Sequence, residues 1–147
     1  FYEKNIAYYP QIKEFNKKIE YLKKLILNFP TKNYAYIKFL YEYISFKKKF
    51  NFKLFFKKLN NKQQNDYRIM VLISYYFYIN EDYINAMKFI NKSCKNNIFD
   101  LSPLKLKYLI LMKQNKVHEA TKYLKKTKLS QKVDLNKISL ELNYYDY

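Results

Sequence analysis

The sequence predicts an all-α fold in which antiparallel helical hairpins stack into an α-solenoid. Apolar residues recur every three or four positions along most of the chain, which is the spacing of one face of an α-helix. No segment of useful length alternates between apolar and polar residues as a half-buried strand would. Similar phrases return with a repeat period of about 34 residues, and helix pairs of fixed length are typical of stacked units rather than of a closed bundle.

The composition limits both the size of the fold and its chemistry. A chain of 147 residues that is 49% hydrophobic and 20% aromatic fits one folded domain, residues 1–147. The chain contains no glycine, which excludes Gly-rich phosphate loops and the nucleophile elbow because these need backbone conformations that larger residues strain to adopt. Cys94 and His118 are single and have no metal-ligand spacing. We therefore expect no enzyme, no catalytic residues, no cofactor and no metal.

The first half of the chain is predicted to hold three helices. The first ends before Pro30, which cannot continue a helix. The first and third predicted helices span about 11–28 and 51–59, and the second lies between a short turn after Pro30 and the run Lys47 to Lys49. The apolar stripe of the second helix consists of Tyr36, Phe39, Leu40, Tyr43 and Ile44. The polar stretch 59–66 is expected to be a loop.

The second half is predicted to hold five helices with recognisable ends. Asp66 is a good N-cap, and Ser102 followed by Pro103 opens a further helix. Because glycine is absent, Asn80 and Asn115 are expected to close their helices with positive φ. The predicted helices of this half span about 66–79, 82–95, 102–115, 117–128 and 134–143.

Two alanines mark the internal repeat. Ala86 and Ala120 lie one repeat period apart, within the matching phrases 80–89 and 114–123, each of which reads turn, helix start, small residue, aromatic residue. These phrases resemble the second half of the tetratricopeptide repeat (TPR), which has a small residue where its paired helices approach most closely. The resemblance implies a partial repeat at 11–32, full repeats at 33–66, 67–100 and 101–134, and a capping helix at 134–143. The repeat 33–66 departs from the pattern, since Phe52 stands where the later repeats have alanine.

Two related families compete for the same pattern. Half-a-TPR repeats favour aromatic residues in the first helix, and Tyr34 and Tyr41 are such residues here. A half-a-TPR assignment therefore stays open for residues 11–60. Pentatricopeptide repeats read RNA bases with a polar residue near the fifth position of the first helix. The corresponding positions are Val71 or Leu72 and Lys105 or Leu106, which disfavours sequence-specific RNA recognition.

The TPR resemblance implies that the first helices of the repeats line a concave groove that binds a partner. The predicted function is a non-catalytic protein-interaction scaffold, a fragment or subunit of a larger assembly. Its basic, Tyr-rich groove suits an acidic or amphipathic peptide or helix. The predicted partner-binding residues are Tyr34, Lys38, Tyr41, Arg68, Leu72, Tyr75, Tyr78, Lys105, Leu109, Met112 and Lys113.

The charge favours an alternative, an RNA-associated subunit of a ribonucleoprotein such as an organellar ribosome or an RNA-processing complex. Lysine and arginine number 29 against 12 acidic residues, a net charge of +17. Only Arg68 is arginine, which points to the codon bias of an A/T-rich genome as much as to selected basicity. The predicted phosphate-binding residues are Lys47, Lys48, Lys49, Lys53, Lys57 and Lys58.

The sequence also bears on membrane insertion and on the compartment. The longest uncharged stretch in the middle of the chain, 69–80, is shorter than the ~20 residues that cross a bilayer, so no span is predicted. A single cysteine forms no internal disulfide, which favours an intracellular, reducing compartment, either cytoplasmic or organellar. The chain begins with Phe1 rather than Met, so we expect a piece of a longer protein.

Overall fold

A computed structural model describes residues 2–96 and 102–127, with side chains described for 12–93 and 103–127. These residues form eight α-helices and no strand, so the all-α prediction is confirmed for the described ranges. The helices are α1 (Tyr2–Asn28), α2 (Asn33–Ser45), α3 (Phe52–Lys58), α4 (Asn61–Gln64), α5 (Tyr67–Ile79), α6 (Tyr83–Asn96), α7 (Ser102–Lys113) and α8 (Val117–Thr127). The helix predicted at 134–143 lies outside the described residues.

The structure differs from the predictions by more than two residues in two places. Helix α1 begins at Tyr2 rather than near residue 11, so it includes Pro10, a residue that lacks the backbone N–H of a regular helix. The predicted loop 59–66 contains α4. Asn60 opens this short helix with a reciprocal capping box, in which its Oδ1 accepts from the Gln63 N–H at 2.8 Å and Gln63 Oε1 accepts from the Asn60 N–H at 3.0 Å.

Three helices end in the same way, at positions separated by one repeat period. Lys47, Glu81 and Asn115 have φ of 51°, 62° and 59°, and each follows the last residue of α2, α5 or α7 by two positions. In each case the next residue donates its N–H to a carbonyl five residues back, as Asp82 does to Phe77 at 2.9 Å. This is the Schellman arrangement, which satisfies carbonyls that the helix end leaves unpaired.

One of the two predicted helix-closing residues is wrong. Asn115 has the expected positive φ, but Asn80 has φ −89°, and the positive φ belongs to Glu81. Asn80 is the first residue after α5, the position that Phe46 and Gln114 hold after α2 and α7, and its Nδ2 donates to the Tyr76 carbonyl at 2.8 Å. The Tyr76 carbonyl also accepts from the Asn80 backbone N–H at 3.3 Å, and the left-handed residue comes one position later, as it does in the other two helices.

The helices pack in chain order around a continuous core. Helix α2 packs against α1 and α5, α5 packs against α6 and α7, and α7 packs against α6 and α8. Because α5 has neighbours on several sides, its residues from Ile69 to Ser74 are all buried. The core also includes the two repeat alanines, Ala86 and Ala120, both with no exposed surface.

The hairpin α5–α6 closes through small side chains. Ser74 of α5 donates its hydroxyl to the Ala86 carbonyl of α6 at 2.7 Å, and both residues are fully buried. A serine and an alanine let two helix backbones approach closely enough for this contact, which larger residues would prevent. The predicted burial of the alanines between paired helices is thus observed at α5–α6.

Candidate binding surfaces

The predicted partner-binding residues lie on three helices, α2, α5 and α7, and most are half-buried. Tyr34, Lys38 and Tyr41 lie on α2, whereas Tyr75 and Tyr78 lie on α5. Helix α7 contributes half-buried Lys105 and Leu109 and exposed Met112 and Lys113. Ten of the eleven predicted residues therefore present some surface to solvent, the exception being Leu72.

Leu72 corrects the sequence prediction. Its side chain is 1% exposed, within the buried run of α5, so it packs in the core instead of lining an accessible surface. The TPR resemblance implies that Leu72 lines the groove only because of its position within the repeat. Helix α5 is enclosed by α2, α4, α6 and α7, which leaves it less exposed surface than a helix at the edge would have.

Arg68 has a structural partner. Its Nε and Nη2 donate to the two carboxylate oxygens of Asp66 at 3.2 and 3.0 Å, and its backbone N–H donates to Asp66 Oδ1 at 2.9 Å. Asp66 Oδ2 also accepts from Asn33 Nδ2 at 3.1 Å, which ties the start of α2 to the start of α5. The arginine charge is therefore already compensated by a partly buried carboxylate, which weakens its predicted role in partner binding.

The tyrosines at the end of α5 form a small aromatic surface. The rings of Tyr75 and Tyr78 are stacked, with centroids 6.0 Å apart and an interplanar angle of 20°. The ring of Tyr78 also lies 5.9 Å from that of Tyr83 at the start of α6. Burial raises the pKa of Tyr75 and of Tyr78 above 10, so both hydroxyls stay protonated near neutral pH and can donate a hydrogen bond.

The six lysines predicted to bind phosphate are not collected on one face. The Nζ of Lys48 lies 4.6 Å from the centre of the Phe15 ring, so this half-buried lysine helps to pack the loop after α2 against α1. Lys47, Lys49, Lys53, Lys57 and Lys58 are exposed. On α3, Lys53 and Lys57 are one turn apart, whereas Lys58 is turned by about 100° from Lys57 and lines a cavity together with Lys23 of α1.

The described lysines of this cluster form no ion pair. Within the described residues, the ion pairs join Lys18 to Glu14 and Glu42, and Arg68 to Asp66. The exposed lysines on and before α3 thus keep uncompensated charge, which leaves a positive surface around α3.

A cavity lies between α1 and α3, and no sequence motif indicated it. Its volume is about 220 Å³, and its lining residues are Lys23, Ile26, Phe39, Tyr43, Phe50, Asn51, Leu54, Phe55 and Lys58. The floor is aromatic, since the Phe39 and Phe55 rings stack at 5.2 Å and the Phe50 ring lies 4.8 Å from that of Tyr43. The lining comes from three helices and a turn, so no local spacing could have predicted it.

In the part of the chain that the structure describes, no three or more His, Cys, Asp and Glu side chains cluster as a metal site would require. Across the same residues, no helix combines the length and the apolar character that crossing a bilayer needs.

Comparison of the chain with protein-family models, with curated proteins and with solved structures finds no match. The geometry of the chain itself therefore carries the functional argument.

Proposed function

We propose that the chain is a non-catalytic scaffold, a TPR-like α-solenoid that binds a peptide or helix of a partner protein across α2, α5 and α7. The observation that carries this proposal is the recurrence of one helix-ending motif, once in each repeat period, at Lys47, Glu81 and Asn115. A repeated turn supports equivalent roles for the three helices that precede it.

Equivalent positions on these helices support a common binding surface. Tyr41, Tyr75 and Leu109 occupy the same position in successive repeat periods, and all three are half-buried. Tyr78 and Met112 form a second such pair, of which Met112 is 38% exposed. Large side chains that are half-exposed at the same position of successive units can form a continuous apolar strip.

The chemistry of this strip suits a protein partner. Tyrosine offers a large contact area at low entropic cost together with a hydroxyl that can hydrogen-bond. Lys38, whose Nζ lies 6.0 Å from the centre of the Tyr34 ring, and Lys105 add positive charge beside the strip. An amphipathic helix with acidic residues would match both the apolar and the charged components.

Crosslinking and pull-down with two variants test this proposal. We expect Tyr75→Ala/Tyr78→Ala to lose the partner that wild-type protein recovers from extract of its own cells, as identified by mass spectrometry. Tyr21→Ala is the control, because Tyr21 is 62% exposed on α1, a helix that carries none of the predicted partner-binding residues. Unchanged recovery by a folded Tyr75→Ala/Tyr78→Ala variant, with its fold checked by circular dichroism, would count against the strip.

RNA binding is the second candidate, favoured by the unpaired exposed lysines around α3. If several lysines neutralise phosphates, binding of mixed RNA should weaken steeply between about 50 and 200 mM salt, by orders of magnitude for about six contacts. The replacement Lys53→Gln/Lys57→Gln should lower the slope of log affinity against log salt by about 2. Absence of binding at low salt removes this candidate.

A further inference from the structure

We propose that the cavity between α1 and α3 is a docking site for an acidic peptide segment of a partner protein. The segment would place one apolar side chain in the cavity and its carboxylates beside Lys23 and Lys58. This site is separate from the strip on α2, α5 and α7, so its test stands apart from that of the proposed function.

The size of the cavity fits one side chain. A volume of about 220 Å³ is below the ~300 Å³ at which drug-sized ligands begin, and equals that of about seven water molecules. Its floor is apolar, since Ile26, Phe39 and Phe55 are 5%, 6% and 5% exposed. An aliphatic or aromatic side chain would gain dispersion contacts there that water cannot provide.

The charge of the rim selects the residues that flank the inserted side chain. Lys23 and Lys58 are exposed on α1 and α3, and neither forms an ion pair with any described residue. No acidic residue is among the described residues that line the cavity. Two cations above an apolar floor therefore favour an apolar group with carboxylates beside it.

The surface around the cavity favours a peptide over a small molecule. Leu54 at the rim is 57% exposed, and Leu27, one turn after Lys23 on α1, is 81% exposed. A ligand confined to the cavity would leave these leucines in water, whereas a peptide can cover them. A nucleic-acid backbone would supply negative charge but no aliphatic group for the floor, so the observations favour a protein partner over RNA.

Selection from a library of random dodecapeptides displayed on phage tests the proposal with the full chain as bait. We expect enriched peptides to carry Leu, Ile or Phe beside Asp or Glu. Synthetic versions, measured by fluorescence anisotropy, should bind Lys23→Glu/Lys58→Glu roughly tenfold or more weakly than wild type. The control Lys24→Glu/Lys62→Glu has the same charge change at exposed positions outside the cavity, and should bind within about twofold of wild type.

A peptide of reversed charge separates loss of the charge contacts from loss of folding. A peptide whose acidic residues are replaced by lysine should bind Lys23→Glu/Lys58→Glu better than it binds wild type, which general loss of folding cannot produce. Tyr75→Ala/Tyr78→Ala should bind the selected peptides as wild type does.

Three outcomes overturn the proposal. The first is a selection without the acidic and apolar consensus. The second is equal peptide affinity for the Lys23→Glu/Lys58→Glu variant and its control. The third is a Lys23→Glu/Lys58→Glu variant that still binds the peptides but no longer binds a short poly(U) RNA. Lys23 and Lys58 would then contact phosphate.

Discussion

Helices α5 and α6 meet through small residues, whereas α3 packs on its neighbours through aromatic rings. At α5–α6, the Ser74 hydroxyl reaches the Ala86 carbonyl at 2.7 Å. In α3, the ring of Phe52, which stands one repeat period before Ala86, packs edge-on against Phe77 at 4.9 Å and Phe89 at 5.4 Å. Phe52 and Ala86 are thus one repeat period apart, but the residue that contacts the neighbouring helix is large in α3 and small in α6.

This difference has a structural consequence. Small residues allow close backbone approach and leave few voids, whereas rigid rings meet only at preferred angles and distances. The ring cluster of Phe39, Tyr43, Phe50 and Phe55 lies beside the cavity between α1 and α3. Helix α3, where Phe52 stands one period before Ala86, is thus also a helix that lines the cavity.

The largest expected effect comes from removing a ring of the cluster. Phe39 is 6% exposed, and its ring centroid lies 4.7 Å from that of Tyr43 and 5.2 Å from those of Phe50 and Phe55. We expect Phe39→Ala to lower the free energy of unfolding by about 3–5 kcal/mol. Urea denaturation measures this change. The exposed Tyr21→Ala control should stay within about 0.5 kcal/mol of wild type.

A loss below about 1 kcal/mol for Phe39→Ala would mean that the cluster rearranges to fill the space. The aromatic region would then be loosely packed, and the contrast with α5–α6 would be one of rigidity rather than of residue size.

The second prediction tests the crossing of α5 and α6 directly. Ala86 has no exposed surface, so Ala86→Leu would force the two helices apart and lower the free energy of unfolding by about 1–3 kcal/mol. Phe52→Leu changes the corresponding residue of the half-buried α3 and should cost less than about 1.5 kcal/mol. Equal costs at both positions would contradict the contrast between the regions.

The third prediction isolates the hydrogen bond at this crossing. Ser74→Ala removes the donor to the Ala86 carbonyl and should lower the free energy of unfolding by about 1 kcal/mol. Combining it with Ala86→Leu should cost less than the sum of the single changes, because a separated helix pair has already lost the bond. Additive costs in this double-mutant cycle would show that the bond survives the larger side chain.

The sequence predicted the helices well because their evidence is local. The apolar spacing along α2 and α5 and the cap at Asp66 depend on residues a few positions apart, and the structure confirms them. The burial of Leu72 and the compensation of Arg68 were not predictable from spacing, since both depend on which helices surround α5 and on one carboxylate at the right distance. The cavity was missed for the same reason, because Lys23 and Lys58 lie on different helices.

The helix ends show that a prediction from local sequence can miss by one residue. The absence of glycine correctly predicted that another residue type must take a positive φ, yet asparagine preference selected Asn80 where the chain uses Glu81. The left-handed residue is the second residue after the last helical one in all three helices, so its place depends on where the helix ends, a boundary that residue preference alone does not fix to one residue.

The smallest expected effects concern Asn80 and Glu81, the two residues that follow α5. Glutamate at φ 62° carries a steric cost of about 1 kcal/mol that glycine avoids, while glycine adds backbone entropy to the unfolded chain. We therefore expect Glu81→Gly to raise the free energy of unfolding by about 0.5 kcal/mol, or the melting temperature by about 1–2 °C.

Asn80→Gly should lower the free energy of unfolding by about 0.5–1 kcal/mol, since φ there is −89° and the side-chain bond to the Tyr76 carbonyl is lost. Because asparagine tolerates the left-handed region, Asn115→Gly at φ 59° should change little. Stabilisation by Asn80→Gly instead of Glu81→Gly would reverse the assignment of the left-handed residue and restore the prediction made from the sequence.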